Sequence, residues 1–533
     1  MIQKSLPFTE MKGVSRLFAE YTSDYSQLAD YFSGDWREDH SYGEIAQKLD
    51  LHPVDRDGLV DVLEDQNSIW NGPTSLLSQL RNPEALAVVT GQQVGIFGGP
   101  LYSLYKALTA IRLAEYLTNV LSRPVIPVFW LEGGDHDLNE IRHLNLQGHK
   151  IWYEGHQLPE TGNLGSVGSL ELNGQIENVQ SELRKFLPKT EFIDTIFTKY
   201  YASYHSGETF TNAFAHTLYS LLGPNSMVFV NPEDCRLKEM TASLLRRELT
   251  EHSTTYATIR ATSDRLRQKY HAQVHVRPGN VFLLKDHQRQ ALYPESHGYR
   301  LQFSDQEVIS YDRIHEISPC NLSPNVVMRP LVQDSLLPTV AYVGGPGEIA
   351  YFAQLKNLYA WAQRPMPIIF PRSSLTLIEP RVQHLMERHG LTVQEMMSEI
   401  PELMRRRVLD GSNLLMAFQS TEIALDRCIN ELKPAVVNVE TTLGPSVEAT
   451  RKQWVKELAK LQRRAERAEK RHHQQLQSQI EYCKEAIYPN GSVQERELPA
   501  LYYLAKYGES FLEQIYSNVR LDLAGRHQLL TLE

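Results

Sequence analysis

Apolar positions change their spacing twice along the chain, and each change predicts a different kind of element. Residues 1–80 are polar and Asp-rich, with aromatic and leucine positions recurring at helical intervals, which predicts helices packed onto another layer. From Leu86 short β-branched runs take over, each stopped by glycine or proline: LAVVTG from Leu86, VIPVFWLEGG from Val125, MVFVNP from Met227, TVAYVGGPGE from Thr339 and PIIFPRSS from Pro367. Short apolar runs without alternation fit strands buried on both faces, as in a parallel sheet covered by helices. Helical patterns follow two of them directly, from Leu101 to Leu121 and from Ile349 to Gln363, so the strand–helix unit is the expected building block of an α/β, Rossmann-like core.

The strands are unevenly spaced, which predicts insertions in the core near residues 145–225 and 232–335. The second contains QVHVRPGNVFLLKD, where PGN between two alternating runs predicts a hairpin turn. After Arg381 the pattern becomes helical. Val447, Trp454, Leu458, Leu461, Ala465, Ala468 and His472 follow heptad steps, with Arg451 in one core-type slot. A preceding helix from Leu414 to Leu432 carries Ile423, Ile429 and Leu432, and PAVVNVETTLGPS turns it back, giving an antiparallel helical hairpin. The expected organisation is therefore a core over 1–380, a helical coiled-coil domain over 381–497, and an amphipathic C-terminal helix in 498–533 docked on the core.

Composition narrows the class. With 533 residues, 42% hydrophobic and 22% charged, the chain has ordinary globular values and enough length for several units. A net charge of −10 argues against nucleic acid as the partner. The segment 451–473 has nine Lys/Arg against three Glu, and reads as the solvated outer face of the coiled coil in preference to a nucleic-acid or nucleotide-phosphate contact. Cys235, Cys320, Cys428 and Cys483 form no CxxC pair, so they are expected to be reduced thiols rather than a disulfide framework or a zinc site. MIQKSLPFTEMKG has no apolar signal core, and no run approaches the roughly 18 apolar residues that a membrane helix needs. A cytoplasmic protein is expected.

Four segments could carry chemistry. In GQQVGIFGGPLYSLYKALTAI, from Gly91 to Ile111, a strand end, glycines and a helix start together can hold an anion or can simply turn the chain. Gln92, Gln93, Gly98, Gly99, Tyr102 and Lys106 are its candidates, although Lys106 is misplaced for either standard phosphate motif. EGGDHDLNEI offers Asp135, His136 and Asp137: alternation puts the two aspartates on one side and His136 opposite, for substrate binding or base catalysis, while capping by Asp137 with Glu140 is the plain alternative. Whether a metal belongs there is open. VMRPLVQDSLLPTVAYVGGPGEI places Arg329 and Gln333 ahead of a second glycine-rich strand end, Gly344 and Gly345, followed by Glu348. Two such strand ends can face each other across the carboxyl edge of an open sheet. PRSS adds Arg372 and Ser373, suited to phosphate or carboxylate, or to a plain loop. Serine-hydrolase, zincin, kinase and dinucleotide fingerprints are absent from the sequence.

GQQVGIFGGPLYSLYK, PVFWLEGGDHDLNEI, NVVMRPLVQDSLLPTVAYVGGPGEIAYFAQL and the late YYLAKYG occur in an order that resembles the cysteine-adding enzymes of bacillithiol biosynthesis, the cysteine ligase (BshC) family. The resemblance spans essentially the whole chain, apart from the two insertions. It implies a Rossmann-like core, a coiled coil that makes a homodimer, and the joining of the cysteine carboxyl group to the amine of glucosaminyl malate. Amide formation from a free carboxylate needs activation as an acyl phosphate or acyl adenylate, so ATP or another nucleotide is the implied cosubstrate. The implied fold is similar to that of class I synthetases, which favours the adenylate, although HIGH and KMSKS elements are missing. On this resemblance the glycine loop with Tyr102 and Lys106 holds an anionic group, Asp135, His136 and Asp137 meet an amine, and Arg329 and Arg372 meet malate carboxylates or phosphate. A non-catalytic dimeric nucleotide-binding or scaffold protein is the second reading.

Overall fold

The computed structural model describes residues 4–303, 308–409 and 414–533. Its centre is a five-stranded parallel sheet: β1 (Leu86–Gln93), β2 (Val125–Glu132), β3 (Val228–Val230), β4 (Thr339–Gly344) and β5 (Ile368–Pro371), in spatial order β3-β2-β1-β4-β5. Each strand is one of the apolar runs, and every neighbouring pair is parallel. Burial on both faces explains why the runs do not alternate. The strand order reverses between β1 and β4, so their carboxyl ends flank the crevice where open α/β sheets bind ligands. Close approach there requires Gly91, since a Cβ would sit 2.9 Å from the Trp130 carbonyl oxygen.

The connection from β2 to β3 carries a hairpin, His143–Leu146 with His149–Trp152, and the helices Gln175–Phe186, Ile193–Tyr200 and Phe210–Leu222. The connection from β3 to β4 carries the long helix Cys235–Leu266 and a five-stranded antiparallel sheet. In that sheet the hairpin turns at Asp286 and His287, both with positive φ, and joins Val281–Lys285 to Gln288–Glu295. This corrects the turn expected at PGN. Residues 273–277 form no strand, so PGN only leads the chain into Val281–Lys285.

A third sheet joins the chain ends: Arg526–Thr531 lies between Lys4–Pro7 and Ser374–Ile378. The last segment is thus two helices, Ala500–Tyr507 and Ser510–Asn518, followed by a strand, rather than a helix alone. The middle of this strand is buried without interruption, so it shows no alternation, and two flanking partners supply its hydrogen bonds. Cys235 and Cys320 are joined as a disulfide with Cα atoms 4.8 Å apart, which corrects the expectation of four reduced thiols. The partners are 85 residues apart in sequence, so local spacing carried no sign of the pair. Cys428 and Cys483 are free.

Residues up to Ile378 and Ser492–Glu533 form one compact unit, and Glu379–Gly491 a second. In the second, helices Leu414–Val439 and Gly444–Ile487 run as an antiparallel hairpin. The first continues through Pro434, and the turn comes at Thr441–Leu443. Ile429 and Val447 are buried, and Arg451 pairs with Asp426 at 2.9 Å, so the charged residue in a heptad slot meets a counter-ion across the hairpin. Ile423, Leu432, Trp454 and Leu461 are exposed. The side chains of His472 and of the 469–473 end of the basic stretch lie outside the described residues. Among the described residues no helix is long and apolar enough to cross a membrane.

Candidate active site

The turn after β1 folds tightly on itself. Phe97, Gly98 and Gly99 take positive φ in succession, which a side chain beyond Cα tolerates poorly at the latter two. Gly98 N–H donates to the Tyr204 hydroxyl at 3.0 Å, Gly99 N–H to the Ile96 carbonyl at 3.1 Å, and Leu101 N–H to the Leu498 carbonyl at 2.9 Å. Both glycines are buried, and Phe97 stacks on Tyr204. The two glycine amides are therefore spent on the protein. Gly98 and Gly99 turn the chain rather than cradle a phosphate, which corrects their assignment to binding.

Lys106, one turn into the helix Leu101–Leu121, reaches back to the sheet edge. Its Nζ donates to the Gly91 carbonyl at 2.8 Å and to Gln92 Oε1 at 3.1 Å, and pairs with Glu348 Oε2 at 2.5 Å. Glu348 opens the helix Pro346–Phe352, accepts the Gly345 N–H at 2.8 Å, and accepts the Tyr342 hydroxyl at 2.6 Å. Burial opposes ionisation of both partners. Lys106 and the Gly345 amide nevertheless hold Glu348 below the usual carboxylate range, while burial leaves Lys106 below an ordinary lysine. The pair ties β1 to β4 across the switch point. Gly344 closes β4, and its carbonyl accepts the Arg372 amide at 2.9 Å.

Arg329 begins the helix Arg329–Leu336. It donates to the Tyr351 hydroxyl at 2.7 Å and to Gln333 Oε1 at 3.1 Å, and its Nε lies 3.8 Å from Glu132 Oε2, the acid that ends β2. Gln333 is fully buried and holds Asp334, so it positions Arg329 instead of touching a ligand. Gln93 donates to Glu140 Oε2 at 2.8 Å and to Asp135 Oδ2 at 3.3 Å, and Gln92 donates to the Tyr102 hydroxyl at 3.3 Å.

The GGDHD segment departs from simple alternation because the strand stops at Glu132. Asp135 and His136 meet each other: the imidazole Nδ1 lies 3.0 Å from Asp135 Oδ1, which also accepts the His136 N–H at 2.7 Å. Arg289, from the inserted antiparallel sheet, approaches the same oxygen at 3.3 Å. Burial works against the charge on Asp135, but His136 and Arg289 outweigh it and hold this carboxyl well below its ordinary range. His136 Nδ1 faces both Asp135 Oδ1 and, at 3.4 Å, Arg289 Nη1, which leaves Nε2 as the ring nitrogen turned away from this cluster. Asp137 is exposed and caps Leu138–Ile141 by accepting the Asn139 N–H at 3.0 Å. Its catalytic assignment is corrected to capping, although Glu140 serves Gln93 and not a capping box.

Arg372 and Ser373 lie inside the molecule. Arg372 is 4% exposed and pairs with Glu495 at 2.6 Å, and Ser373 is fully buried. Their expected role in binding is corrected to a structural one, with Arg372 joining the chain after β5 to the segment Gln494–Glu497. Lys106 at the turn after β1 and Arg372 after β5 are both paired with carboxylates, and the Gly98 and Gly99 amides donate to the protein. Among the described residues, one group of three metal-ligand types is close enough to hold an ion, Cys235, Glu239 and Cys320; its sulfurs are joined to each other and offer no thiolates. A cavity of about 350 Å³ lined by Arg16, Lys269, Tyr270 and His271 includes none of the sheet-edge groups.

Two family models cover nearly the whole chain: "Bacillithiol biosynthesis BshC, N-terminal Rossmann-like domain" over residues 1–373, and "Bacillithiol biosynthesis BshC, C-terminal coiled-coil domain" over 375–532. The chain belongs to the BshC family. Its relatives include proteins named "Putative cysteine ligase BshC" from Salinibacter ruber, 38% identical over 96% of both chains, and from Chlorobaculum tepidum, 32% identical over 95% of both. One from Prosthecochloris aestuarii is 32% identical over 98% of this chain and 97% of its own.

In this BshC-family chain the edge groups that a sequence reading passes over are Glu132, Arg289, Glu233, Lys238 and Glu495. Glu132 was legible as an acid closing a buried apolar run, VIPVFWLE. Arg289 and Glu495 carried no local signal, since Arg289 reaches Asp135 across 154 residues and Glu495 reaches Arg372 across 123.

Proposed function

We propose that the chain ligates the carboxyl group of cysteine to the amine of glucosaminyl malate, in the cytoplasm, completing bacillithiol biosynthesis. The observation that carries this reading is the set of opposed charges at the carboxyl edge of β1, β2 and β4, in a chain matched over 96% of its length by a relative named "Putative cysteine ligase BshC". An amide ligase must hold an ammonium, at least one carboxylate and a carbonyl under attack. Arg329, braced by Gln333 and Tyr351, suits a malate carboxylate, because a planar guanidinium can engage both of its oxygens. Asp135 is too strongly ionised to be an effective base and serves to orient His136. His136 then offers its Nε2 to the substrate as a hydrogen-bonding group.

Activation of the cysteine carboxyl by a nucleotide is part of the proposal, and the nucleotide is taken up away from the turn after β1. The exposed Ile423, Leu432, Trp454 and Leu461 support pairing of two copies through the helical hairpin. Purified protein with cysteine, glucosaminyl malate and ATP is expected to yield the amide mass, with AMP or ADP identifying the activation. Absence of the amide, together with full restoration of bacillithiol in a deficient cell by Asp135→Asn and Arg329→Met variants, would reject the reading.

A further inference from the structure

The carboxylates at the sheet edge differ in how completely the protein satisfies them. Glu348 has Lys106, Tyr342 and the Gly345 amide. Asp135 has His136 and Arg289. Glu233 has Lys238 at 2.8 Å, Glu495 has Arg372 at 2.6 Å, and Glu140, at the surface, accepts from Gln93. Glu132 is the exception among them. Among the described residues its Oε2 is shut off from solvent without a hydrogen-bond partner, and Arg329 Nε at 3.8 Å is beyond hydrogen-bond reach. The side chain as a whole keeps 26% of its exposure, so the open part of the carboxylate is the Oε1 side. A buried carboxylate oxygen without a donor is costly, and a carboxylate kept in that state calls for an explanation such as a catalytic role.

The position suits a reacting amine. Glu132 ends β2 beside Gln93, one strand from the switch point, with Arg329 Nε 3.8 Å from its Oε2. We propose that Glu132 binds the ammonium of the acceptor sugar through this open carboxylate and removes its proton, acting as the general base of amide formation. The inference rests on the ligase reading above. In the step, R–NH3+ gives a proton to Glu132, leaving a free amine and a neutral carboxylic acid. The nitrogen lone pair attacks the carbonyl carbon of cysteine activated as a mixed anhydride. A C–N bond forms, the C–O bond to the leaving group breaks with its electron pair on the departing oxygen, and the second amine proton passes to solvent. Burial pushes the Glu132 carboxyl up; Asp135 and Glu233 reinforce the shift, while Arg329 and Arg289 oppose it. A raised carboxyl is a stronger base than an ordinary glutamate.

The test compares wild type with Glu132→Gln, Glu132→Asp and His136→Gln, following amide formation with glucosaminyl malate from acid to neutral pH. Glu132→Gln is expected to lower kcat by about 100-fold or more, to leave KM for the acceptor within a few-fold, and to abolish the acidic limb of the pH–rate profile. Glu132→Asp should keep that limb at reduced rate. Calorimetric titration with glucosaminyl malate and with its N-acetyl counterpart supplies a readout independent of turnover: wild type should discriminate against the acetylated compound, and Glu132→Gln should lose the discrimination while keeping its melting temperature. If Glu132→Gln retains wild-type kcat and the limb, or if the limb disappears in His136→Gln instead, the inference fails. If wild type makes no amide at all, it is the ligase reading that fails.

Discussion

Replacing Lys106 by methionine isolates the pair that ties β1 to β4. Methionine nearly fills the same volume, so the change removes charge and hydrogen bonds without opening a large cavity. Lys106 keeps 5% of its side-chain exposure and Glu348 19%, and the variant leaves Glu348 with the Tyr342 hydroxyl, the Gly345 amide and the longer-range fields of Arg329 and Arg372, but no cation in direct contact. Breaking a buried pair on one side costs about 3 to 5 kcal/mol, and the retained donors and partial exposure place the expectation near 3. Chemical unfolding followed by tryptophan fluorescence measures the loss, and a cycle with Glu348→Gln should show the double variant about 2 kcal/mol better than the sum of the singles. The pH dependence has a definite sign. In the wild type Glu348 is depressed, so its contribution is present above the unfolded carboxylate range and disappears as pH falls through the folded value. Without Lys106 burial dominates and raises Glu348, so the variant loses stability as pH climbs through that range. The penalty of Lys106→Met must therefore shrink on going from neutral to acid pH. A variant within about 0.5 kcal/mol of wild type, a level usual for surface changes, or a penalty that grows in acid, would refute the reasoning.

Gly98→Ala places a side chain at φ +83 and is expected to cost about 1 to 2 kcal/mol by melting or chemical unfolding, with no loss of affinity for phosphate or nucleotide, because the loop amides are already occupied. His527, sealed between Ser374 and Thr376, is held down to about 4, chiefly by burial. The unfolded chain then binds more protons between that value and 6.5, so stability rises with pH across this window, and His527→Gln should flatten the rise in unfolding measured at pH 4.5 and 7. Cys235→Ser should lower stability by about 2 to 4 kcal/mol in oxidising buffer and by much less with a reductant present, since the disulfide closes a loop with a separation of 85 residues.

Much of the core was legible because a strand buried on both faces has to be apolar at every position, whatever it packs against. The runs from Leu86, Val125, Met227, Thr339 and Pro367 became the five strands of the parallel sheet for that reason. Local turn chemistry was harder to read. PGN looked like a hairpin, yet the chain turned at Asp286–His287, where flanking strands with partners were available. At the site, glycines announced a sharp turn correctly but could not announce where their N–H groups would point, and those of Gly98 and Gly99 point into protein.

The sequence by itself determined which segments would be buried strands, that they would form an α/β core with insertions, that a helical hairpin would follow, and which family the long motifs belong to. Those properties depend on residue type and short-range period. Tertiary structure alone decided the strand order that puts β1 beside β4, the disposal of each charge, and hence which acids are already satisfied. Arg372 became a structural residue because Glu495 arrived from 123 positions away, Asp135 became a fixed anion because Arg289 arrived from an inserted sheet, and Glu132 was left with an open carboxylate because nothing arrived within hydrogen-bond reach. Burial raises the cost of any unpaired charge, so the identity of the partner, set only by folding, decides whether a charged residue holds the structure together or stays open for chemistry.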